Sequence, residues 1–204
     1  MQDSSPILIT GYGPFPGVEV NPSGHVVQLL SEDPDLLGVQ RPVVFAQLPV
    51  SYRRTLPLLR ELLAQQRPAL TVCLGVDSSE SQMTLEARAF NELAADSVDV
   101  DGQLPQTAEV IPGAQAEWSS RFDVDAAVTA LSGEDREGGP LPVRRSDDAG
   151  RYLCNAALAV ITQEAIERGE GATLFVHIPP LDKVDAPTVI SVVAALCQHE
   201  EWWG

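Results

Sequence analysis

Residues 42–75, PVVFAQLPVSYRRTLPLLRELLAQQRPALTVCLG, decide the fold. PVVFAQL (42–48) is a short apolar run rich in β-branched and aromatic side chains, and ALTVCLG (69–75) is another that stops on a glycine, as buried strands do. Between them the leucines at 56, 59, 62 and 63 recur at helical spacing, with Ser51 as the expected N-cap. Pro57 fits that helix only in its first turn or at a kink. A strand, a helix and a strand in so short a span is the unit from which parallel sheets are built.

The alternation continues on both sides of this stretch. PILIT (6–10) reads as a buried strand ending at Gly11, followed by the loop GYGPFPGVEVNPSG (11–24) and a short helix from Val26 to Leu30. QMTLEARA (82–89) has the period of a strand, with Met83, Leu85, Ala87 and Ala89 on one face and Gln82, Thr84, Glu86 and Arg88 on the polar one. Residues 92–121 read as loop, with turn signals at DVDG and IPGA. Asp123 is placed to cap a helix running to Leu131, GEDREGGP (133–140) is an exposed turn, and LPVRR (141–145) is a strand. A helix over about 150–168 follows, capped by Ser146, Asp147 or Asp148, then the strand TLFVHI (173–178) and a C-terminal helix from Ala186. The expectation is an α/β protein, one domain over residues 1–204, with a mostly parallel sheet covered on both faces.

Composition narrows the function. The 204 residues suffice for a sizeable core, burying roughly 70% of the surface of the unfolded chain. With 29 acidic against 13 basic residues the formal charge is −16, which repels phosphate backbones and anionic lipid. Nucleic acid and membrane surfaces are therefore not the expected partners. Cysteines at 73, 154 and 197 are odd in number and far apart, which points to a reducing cytoplasm rather than a disulfide framework or zinc ribbon. The sequence shows neither a signal-peptide pattern nor a run of about 18 or more apolar residues.

In such sheets ligands collect at the carboxyl ends of the strands, so His177, where an apolar strand finishes, ranks above His25 and His199. Cys154 lies within the first two turns of its helix, where the helix N-terminus favours an anion. It also shares a stripe with Leu158, Ile161 and Ala165, as a packing residue would. Cys73 and Cys197 read as packing. A thiolate–imidazole pair needs a third group to orient the ring, and Glu86 has the right type and placement. GYGPFPG misses the dinucleotide-loop spacing, and Pro14 and Pro16 lack the N–H donors that a pyrophosphate needs. SVDVDG (97–102) resembles a calcium loop only faintly, because Ala108 stands where the bidentate glutamate belongs.

Taken together, TGYGPFPGVEVNPSG (10–24), LPVSY (48–52), LGV (74–76), LEARAFN (85–91), IPGA (111–114), AGRYLCN (149–155) and FVHIP (175–179) resemble the type I pyroglutamyl peptidases, also called pyrrolidone-carboxylate peptidases, in the same order from about residue 7 to 198. The resemblance implies a three-layer αβα sandwich around a twisted, mostly parallel sheet. It also implies no cofactor or metal, a cytoplasmic homodimer or homotetramer, and removal of an N-terminal pyroglutamyl residue from peptides. On matching positions it makes Cys154 the nucleophile, His177 the general base and then acid, and Glu86 the group that orients the imidazole. Tyr12 and Phe15 fall where the family lines its lactam pocket with aromatic rings.

The chain departs from the pattern at three arginines: Asp96 stands where the family carries an oxyanion-assisting arginine, Glu80 replaces another, and Ala87 a third. Three explanations follow. Arg88 or Arg121 points into the site instead, the pocket takes a different small cyclic or acyl group, or the fold is kept as a catalytically silent binding or assembly module.

Overall fold

The computed structural model describes residues 5–134 and 136–203, so Asp135, within the expected turn at 133–140, lies outside the described residues. In chain order the elements are β1 (Ile7–Tyr12), α1 (Pro22–Glu32), β2 (Val43–Leu48), α2 (Thr55–Gln66), β3 (Leu70–Val76), β4 (Met83–Glu86), β5 (Arg88–Phe90), β6 (Glu117–Ser119), α3 (Val124–Ser132), β7 (Val143–Ser146), α4 (Leu153–Arg168), β8 (Ala172–Ile178) and α5 (Ala186–Gln198). The main sheet has the order β2-β1-β3-β8-β4-β7. β2, β1, β3 and β8 run parallel, while β4 pairs antiparallel with β8 and parallel with β7.

Side chains that alternate along the strands build two cores. Ile7 and Ile9 of β1, Val72 of β3 and Val176 of β8 pack with α1, α3 and α5. Leu8, Cys73 and Phe175 point the other way, onto α2 and α4. The result is the three-layer αβα sandwich. Helix α4 is buried from Ala156 to Thr162 without a break because the sheet lies on one side of it, with α2 and the β5–β6 pair around the rest. Among the described residues no helix is long and apolar enough to cross a membrane.

Several expected boundaries shift for local reasons. The strand expected over 82–89 breaks at Ala87, whose N–H donates to Ser146 (2.7 Å) and whose carbonyl accepts from Ser120 (2.9 Å). The chain then leaves the main sheet to form β5, which pairs with β6 inside the stretch expected to be loop. With one buried residue, Trp118, in three, β6 is too short to carry a period. Asp123 does cap α3, accepting from Ala126 N (3.0 Å). Pro57 lies in the first turn of α2, but Ser51 is not that helix's cap: Arg54 is, and the Ser51 hydroxyl donates to Asp101 (2.7 Å). None of Ser146, Asp147 or Asp148 caps α4 either. Gly150, at φ +78°, turns the chain so that Asp148 accepts from Gly150 N (3.0 Å) and the helix starts later, after Tyr152, with no side-chain cap.

Candidate active site

Cys154 is the second residue of α4, closer to the helix N-terminus than the expected caps would have put it. Leu158, Ile161 and Ala165 of its stripe are fully buried, whereas Cys154 is half-buried at the rim. The backbone N–H groups of Leu153, Cys154 and Asn155 have no hydrogen-bond partner among the described residues, and the first bond of the helix runs from Ala156 N to Tyr152 O (3.1 Å). Three uncommitted donors and the positive end of the helix dipole therefore lie in the turn that carries Cys154.

His177 is the penultimate residue of β8, on the α4 side of the sheet, and only 6% exposed. Its Nδ1–H donates to Glu86 Oε1 at 2.8 Å. The same oxygen accepts from the Thr84 hydroxyl at 2.7 Å, and Thr84 is the cross-strand partner of His177. Because β4 runs antiparallel to β8, Glu86 pairs with Phe175 and lies beneath the histidine rather than on the rim. The polar face expected for this strand is thus an inner one, with Thr84 and Glu86 almost fully buried. Burial alone would lower the His177 pKa, but the neighbouring Cys154 and the hydrogen bond and charge of Glu86 together outweigh it and raise the value to about 10.

The sign of that shift makes a stability prediction. Unfolded histidine titrates near pH 6.5, so the stabilisation from protonated His177 is complete below that value and is lost as pH rises toward about 10. The melting temperature of the parent is expected to fall between pH 7 and 10, and to fall less in His177→Gln; equal slopes would contradict the pairing.

Gly75 completes the junction. It is the β3 neighbour of His177, and a Cβ there would stand 2.7 Å from Phe175 Cζ and 3.1 Å from Cys154 Sγ. Gly75→Ala is expected to cost about 1–3 kcal/mol and to lower turnover at least tenfold by displacing the sulfur, read from melting temperature and kcat together.

Beside the sulfur lies a small, mostly apolar pocket lined by Tyr12, Phe15, Asn21, Val50, Tyr152 and Cys154. Both expected aromatics are there, in different roles. Tyr12 is buried, its hydroxyl donating to Leu153 O at 3.0 Å, so it fixes the wall behind α4. Phe15 is half-buried in the loop after β1 and forms an open side.

Sequence reading missed the residues that hold these loops. Asn155, fully buried, accepts from Phe90 N (2.7 Å) and donates to Phe90 O (2.8 Å) and Glu92 O (3.0 Å). Asn21 ties Gly13 O to the start of α1, and Asp99 accepts from the backbone N–H groups of Tyr52, Asp101 and Gln103. An asparagine in the opening turn of a helix whose first half is otherwise apolar was the available signal for Asn155.

The arginine departures resolve as follows. Arg88 pairs with Glu117 across the β5–β6 pair, and Arg121 donates to Gly171 O beside the start of β8, at the opposite edge of the sheet. Neither reaches the site, which removes the first of the three explanations for these two arginines. Asp96 is exposed near Tyr52, Glu80 pairs with Arg144, and Ala87 is buried where the two sheets part. Cys73 and Cys197 are sealed, and burial pushes both thiols up to about 12. Among the described residues no three His, Cys, Asp or Glu side chains gather as a metal site.

An αβα sandwich with a thiol and an imidazole at the carboxyl edge of its parallel strands is the frame of a cysteine-type peptidase. The family model of pyroglutamyl peptidase matches residues 5–200, and the chain belongs to that family. The pyrrolidone-carboxylate peptidase of Escherichia fergusonii is 33% identical over 175 residues, 86% of this chain and 78% of that one. That of Thermococcus onnurineus is 31% identical over 174 residues, 85% of this chain and 82% of that one. Among solved structures, the pyroglutamyl peptidase I of Bacillus amyloliquefaciens superposes with a TM-score of 0.79 at 25% identity, covering 94% of this chain and 95% of that one. The pyrrolidone carboxyl peptidase of Fervidobacterium islandicum shares the fold at a TM-score of 0.84 and 24% identity, with 96% and 98% covered.

Proposed function

We propose that the chain removes an N-terminal pyroglutamyl residue from peptides through Cys154, His177 and Glu86. The observation that carries this reading is the hydrogen bond from the His177 imidazole to buried Glu86, with Cys154 Sγ standing over Gly75, the strand neighbour of His177, beside a small, mostly apolar pocket. The lactam ring lies against Phe15 and the Tyr12 wall, with the exocyclic α-carbonyl carbon of the pyroglutamyl residue at Cys154 Sγ. The thiolate attacks that carbon, forming a C–S bond and a tetrahedral oxyanion, which accepts hydrogen bonds from the free N–H groups at the start of α4. His177, held by Glu86, donates its Nε2 proton to the leaving amine as the C–N bond breaks, leaving a thioester. Neutral His177 then takes a proton from water, whose oxygen attacks the thioester carbon, and the C–S bond breaks as the second oxyanion collapses. The products are free pyroglutamate and the restored thiolate–imidazolium pair.

The helix donors supply oxyanion stabilisation without the arginine that Asp96 replaces. Asp96→Arg is therefore expected to raise kcat/KM, by about tenfold rather than the two to three decades of an enclosed donor, because position 96 is exposed. An unchanged or lower rate would contradict this. Family membership favours the pyroglutamyl substrate over another acyl group or a silent homologue. The test is release of the fluorophore from a pyroglutamyl aminomethylcoumarin amide by the parent chain. No release above buffer would overturn the assignment. The proposed working unit is the single domain of residues 1–204, acting in the cytoplasm as a homodimer or homotetramer without a cofactor.

A further inference from the structure

A second cavity lies at the amino edge of the sheet, about 17 Å along β8 from His177. Its walls include Arg41, Arg67, Arg121, Glu170, Gly171 and Trp203. In a chain with 13 basic and 29 acidic residues, so many guanidinium groups around one hollow is against the average field. Two of them have carboxylate partners here: Arg41 pairs with Glu200 at 2.8 Å and Arg67 with Glu170 at 2.5 Å.

Arg121 is different. It is half-buried, donates from Nε to Gly171 O at 3.1 Å, and makes no ion pair among the described residues, so the outer fork of its guanidinium is uncommitted. Arg168 flanks the same glycine. Its Nη2 lies 3.3 Å from where a Cβ on Gly171 would be, Nη1 donates to Leu63 O at 3.0 Å, and Nε is buried with no hydrogen-bond partner. Arg168 likewise has no ion pair among the described residues, and burial, with the charge of Arg67, holds it below the usual arginine range. Arg121 and Arg168 thus flank Gly171 with no ion pair of their own among the described residues; the charge of Glu170 offsets part of that of Arg168, and a bound dianion would match the rest.

We propose that this cavity binds a phosphate-class dianion, free or as the phosphoryl group of a small phosphoester, with the fork of Arg121 as the bidentate donor and Arg67 and Arg168 supplying charge. A planar guanidinium with both Nη groups available matches two phosphate oxygens, and two guanidinium groups outside any ion pair match a dianion better than a monoanion. The site is independent of the catalytic reading, since nothing in it touches Cys154 or His177.

The test is thermal unfolding of the full chain with inorganic phosphate against sodium chloride at equal ionic strength. A saturable rise of about 3 °C or more with phosphate alone is expected, lost in Arg121→Gln and weakened in the exposed variant Arg67→Gln. Methyl phosphate in place of the free ion separates the two sources: an equal shift assigns a phosphoester, and a shift confined to inorganic phosphate assigns the free ion. Identical curves in phosphate and chloride would overturn the proposal. So would an undiminished shift in Arg67→Gln, which keeps the test decisive if Arg121→Gln does not fold.

Discussion

Cys154→Ala is expected to lower hydrolysis of a pyroglutamyl amide by at least about four decades while leaving the fold intact. Removing the nucleophile from a unit of coupled residues forfeits nearly all the acceleration the unit supplies, leaving what binding and oxyanion donors provide alone. Stability should barely change, within about 1 kcal/mol, because the residue is half-buried at a rim and only a sulfur is lost. Cys73→Ala and Cys197→Ala behave in the opposite way: both thiols are sealed in the core, so those variants lose stability and keep turnover. Substrate hydrolysis and melting temperature for all three variants check the contrast. Turnover by Cys154→Ala within tenfold of the parent would remove it from the mechanism.

Glu86→Gln has the second largest expected effect. The carboxylate is buried, and one oxygen accepts from both the His177 ring and the Thr84 hydroxyl. An amide fits the same volume, but its N–H₂ end can donate where the carboxylate only accepts, which favours the wrong imidazole tautomer, and it carries no charge to stabilise imidazolium. A fall of about three to four decades in kcat is expected. A merely structural role would not move the pH profile, and the predicted change is specific. Glu86 is one of the two groups that raise His177 to about 10, so the alkaline limb moves to lower pH in the variant. An unshifted limb with a loss below tenfold would contradict the orienting role.

The parallel α/β frame was readable because PILIT, PVVFAQL, ALTVCLG and TLFVHI are apolar, β-branched and bounded, and every one of them is a strand of the main sheet. What escaped was orientation. Nothing in the alternation of residues 82–89 reveals that β4 runs against β8, yet that direction places Glu86 beneath His177 and buries it. The start of α4 escaped for a local reason. Three residues suited to capping precede the helix, but Gly150 diverts the chain, and the helix begins uncapped at Leu153. That failure matters chemically, because a conventional cap would occupy donors that the proposed oxyanion needs. Asn155 was hidden because it acts on backbone groups distant in sequence, those of Phe90 and Glu92.

The most direct test of the central claim, that the sulfur of Cys154 is paired with the His177 imidazole at an open rim, is site-resolved alkylation with iodoacetamide near pH 7, read by peptide mass spectrometry. Modification of Cys154 at least about a hundredfold faster than Cys73 and Cys197, slowed when Glu86 is replaced by glutamine, is the predicted result. Equal, slow labelling of all three cysteines in the folded protein would contradict it.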